Sequence, residues 1–408
     1  MTSPIFSIQY YLAAIGTNSI ATGIHSVLFP WLVIGVLGAS ASQLGLAQMA
    51  ILLPNTIFLL FGGVISDRVH RGTWLSLLYM LYIIPLSMLW WFYEFNTLTF
   101  QLLLLSGVMF GFLNAFVQPA RESLLVFTPS QVMHQSVAKS IVVKFIAQGV
   151  GFGFAGLLGY IDLPVLLGTQ IFMFGLSSFL ISRAHRFNEN LSKKNIASKP
   201  SWKDIKNALT LFVDNQSFLH LLFLVFATGL LPFGVYLVGL PVLVQQVYDG
   251  GAMLLAGLQV LFTCGIISAN VAVARRVNDF VNPGKLMVIS FFWRGTLFSF
   301  AALSPPFWIL FSVIFLWGFS TGLSIVVGRT ILHNNISVSY RARALSIYQI
   351  SLVGGTPLGA WLCGVLIHSL GINIAFVLIS SITVILAIAV SLFSPLWELK
   401  TTDSYNKE

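Results

Sequence analysis

Long apolar runs follow one another along the 408-residue chain, separated by short polar gaps. A helix crossing a bilayer needs about 20 mostly apolar residues. Runs of that kind predict spans at 8–38, 43–66, 73–92, 98–120, 134–159, 163–183, 217–247, 252–276, 284–303, 306–331, 342–368 and 371–394. Transmembrane strands would alternate apolar and polar residues over about ten positions, and these runs do not. The N-terminus, MTSPIFSIQYYLAAIGTNSI, has no basic stretch before its apolar run and no small-residue cleavage site, so it reads as a retained first helix.

Composition sharpens the picture. Hydrophobic residues make up 57% of the chain and charged residues 8%, against about 25% charged in a soluble domain. Such a chain cannot cover itself with a charged surface, and the fold class expected is an all-α membrane protein of twelve transmembrane helices. The net charge of +9 does not point to nucleic acid, because the basic residues sit at alternate helix connections. They are Arg68 and Arg71, Arg121, the stretch from Arg183 to Lys206, then Arg275, Arg276, Lys285, Arg329, Arg341, Arg343, Lys400 and Lys407; the opposite connections carry Glu94, Asp162 and Asp249. The positive-inside rule then puts both termini in the cytoplasm and makes the chain a multi-pass protein of the cytoplasmic (inner) membrane.

The polar stretch near the middle predicts two halves: a six-helix bundle at 1–183, a cytoplasmic linker at 184–216, a second bundle at 217–394 and a tail at 395–408. In the linker, Trp202, Ile205, Leu209 and Phe212 recur at helical spacing with Lys203 and Lys206 between them, which predicts a short amphipathic helix on the membrane surface. Shifting the chain by 208 residues brings Arg68 onto Arg276, Arg121 onto Arg329, Gly151 onto Gly359 and Gly156 onto Gly364. Such a duplication predicts a solute site between the halves. Cys264 and Cys363 fall inside spans and read as small apolar residues. No Cys/His cluster, phosphate loop or nucleophile elbow is present, so no metal, cofactor or enzymatic activity is expected.

GGVISDRVHR at 62–71 resembles the loop signature of the major facilitator superfamily, between its second and third helices. NAFVQPARESLL at 114–125 and GRTILHNNISVSYRARALSIYQISLVGGTPLG at 328–359 are similar to the branch that holds enterobactin exporters and macrolide efflux proteins. The resemblance spans nearly the whole chain. It implies two pseudosymmetric six-helix bundles, with Gly63, Asp67, Arg68, Arg71 and Arg121 as parts of a cytoplasmic latch; the residues alone also allow a solvated turn. His70 stands where the family usually has glycine, and Phe152 where antiporters carry a proline. The acidic residue that drug–proton antiporters place in the first helix, and the arginine within the fourth, are missing here.

A charge inside a span asks for a partner or a use. Lys144 lies deep in the fifth span with Gln148 one turn on, and Arg294 lies deep in the ninth, where it is expected to pair within its bundle or, with Lys144, to attract anions. Asn18 and His25, seven apart, share a face of the first helix; the imidazole reads either as a carrier for a coupling proton or as a hydrogen-bonded structural histidine. Asn18, His25, Asn114, Lys144, Gln148 and Tyr236 are the expected cavity residues. The function implied is secondary active export of a siderophore-like or drug-like solute by a monomeric antiporter embedded in the lipid bilayer. The alternatives are import of a siderophore or other organic anion and, more remotely, a membrane receptor or enzyme.

Overall fold

The computed structural model describes residues 8–125, 130–185, 210, 212–275 and 282–399. Among them the chain forms twelve long helical segments and no strand. They are α1 (Ile8–Val36), α2 (Ala41–Arg68), α3 (Arg71–Glu94), α4 (Phe100–Leu125), α5 (Ser130–Gly156), α6 (Leu163–His185), α7 (Gln216–Gln246), α8 (Ala252–Arg275), α9 (Pro283–Ala302), α10 (Phe307–Asn335), α11 (Val338–Leu370) and α12 (Ile372–Phe393). Ten are long and apolar enough to cross a membrane by themselves; α5 and α9, which carry Lys139 and Lys144, and Lys285 and Arg294, fall short.

Local chemistry sets the helix ends. Ser40 and Gln43 close a capping box at the start of α2, with bonds of 3.3 and 2.9 Å. The Asn215 carboxamide oxygen accepts from the backbone N–H groups of Ser217 and Phe218 at the start of α7. Gly371, at φ 81°, is the single residue between α11 and α12, a conformation that suits glycine. Prolines interrupt three spans. Pro85 cannot donate to the Leu81 carbonyl, and α3 breaks at Tyr82 into Arg71–Leu81 and Ile83–Glu94. Wider π turns occupy Leu32–Val36 of α1, just after Pro30, and Val235–Gly239 of α7, between Pro232 and Pro241.

The chain divides into two compact units, Met1–Lys199 with Val244–Gly257, and Pro200–Leu243 with Leu258–Glu408. In the first unit α2 lies along α4, α1 along α5 and α6, and α3 along α4 and α6, around a core of Tyr11, Tyr79, Tyr82, Phe110 and Phe174. In the second, α9 packs on α10 and α12 and α7 on α11, around Phe218, Leu224, Phe291 and Ile331. Phe212 belongs to this second core at 1% exposure and is not a surface anchor; Trp202, Ile205 and Leu209 of the expected amphipathic helix lie outside the described residues. Large apolar side chains such as Phe61, Trp91, Phe172 and Trp308 point outward, as lipid contact permits.

Lipid gives helices no hydrophobic reason to associate, so close backbone approach has to supply the packing. Gly151 of α5 meets the Ile20 backbone of α1, and its repeat partner Gly359 of α11 meets the Leu230 backbone of α7. Likewise Gly111 of α4 meets Ile51 of α2 in the first unit, and Gly318 of α10 meets Phe262 of α8 in the second. The two halves thus repeat helix-to-helix contacts as well as sequence.

Candidate functional site

One end of the first unit carries the expected latch residues. Gly63, Asp67 and Arg68 lie in the last turns of α2, but their side chains fall outside the described ones. Arg71 opens α3, and its Nη1 donates to the Ser123 carbonyl at 3.2 Å, tying the start of α3 to the end of α4. Arg121 is half-buried on α4, and its carbonyl accepts from the Tyr11 hydroxyl at 3.0 Å, which ties α1 to the same end. The structure therefore brings Arg71 and Arg121 together on neighbouring helix ends. His70, at the glycine position, is the N-cap residue of α3; its Nδ1 pairs with the Thr73 hydroxyl at 3.0 Å and its side chain makes no cap bond to the backbone.

The expected cavity residues fall in three places. Asn18 and His25 turn into the first unit at 3 and 8% exposure. The His25 ring stacks on Phe110 at 3.8 Å and 10°, with Phe29 at 5.2 Å. Gln170 of α6 lies beside the imidazole, yet neither its amide atoms nor His25 Nε2 meets hydrogen-bond geometry with any described group. Asn114 is half-buried and accepts the Tyr82 hydroxyl at 2.7 Å. Tyr82 also stacks on Phe174 at 4.4 Å, so His25 and Asn114 share one aromatic cluster.

Lys144 and Gln148 are half-buried midway along α5, where a lysine stem can cover apolar surface while its ammonium stays reachable. The Lys144 ammonium lies 5.9 Å from the centre of the Phe145 ring. The Gln148 carbonyl forms the wall against which Gly23 of α1 packs. In the second unit Tyr236 sits in the π turn of α7, stacked on Phe262 at 4.4 Å and edge-on to Trp317 at 6.1 Å. Phe262 and Trp317 are buried at 4 and 3% exposure and Tyr236 is half-buried; Phe262 and Trp317, like Gln170 and Tyr82, were not singled out in the sequence.

Among the described residues Arg294 is the largest fully buried side chain, at 0% exposure between α9 and α10. Its Nε donates to the Ser290 carbonyl at 3.3 Å and its Nη2 to the Ser324 hydroxyl at 2.8 Å, and its guanidinium lies over Phe291 at 5.2 Å. It is held inside its own bundle, so it cannot serve as a solute-facing charge. A groove of about 450 Å³ between α2, α3 and α4 is lined by Leu53, Ile57, Phe58, Leu81 and Phe112 and has no polar group to orient a solute. Among the described residues no three His, Cys, Asp or Glu side chains converge as a metal site would require.

The family described as "transmembrane secretion effector" matches the chain over residues 1–408. No curated protein matches the sequence. Among solved structures, the nucleoside transporter NupG superposes with a TM-score of 0.74 at 14% identity, covering 97% of this chain and 100% of that one. A D-xylose–proton symporter gives 0.70 at 13% identity over 97% and 99%. A bacterial homologue of the lysosomal transporter Spinster gives 0.70 at 15% identity over 97% of both chains.

Proposed function

Because the chain belongs to the transmembrane secretion effector family of the major facilitator superfamily, we propose that this membrane transporter exports a small organic solute, siderophore-like or drug-like, by secondary active alternating access. The family's description favours outward movement. The basic helix connections favour a cytoplasmic-membrane protein with both termini in the cytoplasm. Asp67, Arg68, Arg71 and Arg121 then act as the latch at the cytoplasmic end, where Arg71 and Tyr11 already join three helix ends.

The observation that carries the substrate class is Lys144, a half-buried cation midway along α5 with Gln148 one turn away. A charge at that depth favours an arriving carboxylate or other anion, which gains charge-assisted hydrogen bonds. Everted vesicles given a matched anionic and cationic aromatic solute pair test this. Wild type should move the anion, and Lys144→Gln should lose that preference. A mutant that handles both solutes as wild type does, or a wild type that carries the cation alone, refutes the anion reading.

A further inference from the structure

Buried polar groups with no partner gather on one seam of the first unit. Residues seven apart share a face of a helix, and Tyr11, Asn18 and His25 turn inward from α1 at 1, 3 and 8% exposure. Facing them are Tyr79 of α3 and Gln170 of α6, both at 0%. Among the described residues Asn18 Nδ2, His25 Nε2, the Tyr79 hydroxyl and both amide atoms of Gln170 have no hydrogen-bond partner.

Contacts join these groups into a path. Tyr11, Tyr79, Tyr82 and Phe110 pack together in one buried cluster. Tyr82 packs at 4.6 Å on Phe110, the ring that carries His25, and Gln170 flanks the imidazole. At 1.5 Å per residue the seam runs about 21 Å along α1 from Tyr11 to His25.

A polar group enclosed by apolar side chains needs a hydrogen bond, and ordered water making two to four such bonds is how proteins satisfy groups that cannot reach one another. We propose that this seam holds a file of bound water running from the Tyr11–Arg121 end of the unit to His25 and Gln170, and that the file exchanges protons with the His25 imidazole. Each hop passes one proton from a water O–H to the lone pair of the next oxygen while that oxygen releases another, so nothing is consumed. Gln170 is the positioning residue: its carbonyl accepts from an N–H at Nε2, and a half-turn of the amide offers its NH2 when that nitrogen is bare. The charged and titratable groups along the path are Tyr11, Tyr79 and Tyr82, with Arg121 and Glu122 near its Tyr11 end. Phe29 and Phe110 close the other end. Under the carrier reading, His25 is then where a coupling proton is held.

Two measurements on the full chain in nanodiscs test the file without any transported compound, so their failure is separate from failure of the carrier reading. In the first, brief X-ray radiolysis oxidises side chains that touch water. Tyr79, at 0% exposure, and His25, at 8%, should each label an order of magnitude faster than Phe291 and Phe298, at 0 and 1% in the second unit. In the second, the His25 ring N–H should exchange with deuterated water rapidly in wild type and an order of magnitude more slowly in Gln170→Leu, while Tyr11 labels equally in both. Wild-type Tyr79 and His25 labelling no faster than the two phenylalanines overturns the file, and needs no variant to fold. Unchanged exchange in a folded Gln170→Leu, or in Gln170→Met should the first not fold, overturns the positioning role.

Discussion

Replacing Gly318 by alanine tests how closely α8 and α10 approach. The added methyl would sit 2.8 Å from the Phe262 carbonyl carbon and 3.0 Å from its Cα. Carbon atoms normally rest about 3.5–4.0 Å apart, and both obstructing atoms are backbone, which cannot swing aside as a side chain does. Gly111→Ala poses the same problem in the first unit, at 2.7 and 3.0 Å from the Ile51 carbonyl carbon and Cα. Overpacking of this kind costs about 1–3 kcal/mol. At about 2–4 °C per kcal/mol for a unit of this size, each variant should melt about 2–12 °C below wild type. Gly153→Ala is the control, since nothing lies within 4 Å of its added methyl. Tryptophan fluorescence on heating in nanodiscs reads all three. If Gly318→Ala and Gly111→Ala melt with wild type, or the control falls as far as they do, the close-approach argument is wrong.

Asp67→Asn should impair transport while leaving the amount of protein in the membrane unchanged, because it removes a charge without touching helix insertion; transport and membrane abundance measured together check this, and normal transport removes Asp67 from the mechanism. Arg294→Met should be as stable as wild type or more so, since a buried cation hydrogen-bonded to neutral hydroxyl and carbonyl groups is replaced by an apolar side chain of similar length; a large fall in melting temperature counts against that account. Ser324→Ala, in contrast, leaves the Arg294 Nη2 without its acceptor and should cost about 1–3 kcal/mol in the same melting assay. Tyr82→Phe removes the 2.7 Å bond to Asn114 and should cost about 0.5–1.5 kcal/mol, with an unchanged melting curve contradicting it.

Length and apolarity made the spans readable, because the bilayer imposes one requirement on every crossing segment. The repeat was readable where it depends on glycine: Gly151 and Gly359 do the same work at equivalent helix crossings. The break at Tyr82 was announced by Pro85, but its place in a continuous apolar run concealed it. Depth identified Arg294 as a buried charge, whereas its acceptor Ser324 comes from another helix and carries no signal in the sequence. Gln170 shows why part of the candidate site was out of reach. A lone amide in an apolar span reads as incidental, and only the packing of α6 on α1 puts it beside His25.

The sealing of Arg294 bears on how the chain is made. As α9 leaves the ribosome it carries the Arg294 guanidinium, costly in lipid, and the hydroxyl that quiets it lies 30 residues downstream. At a synthesis rate of about 5–20 residues per second, α9 has to be sheltered for about 1.5–6 s before α10 can join it. The two helices should therefore leave the insertion machinery as a pair, and a stop codon placed between them should strand α9 outside the bilayer.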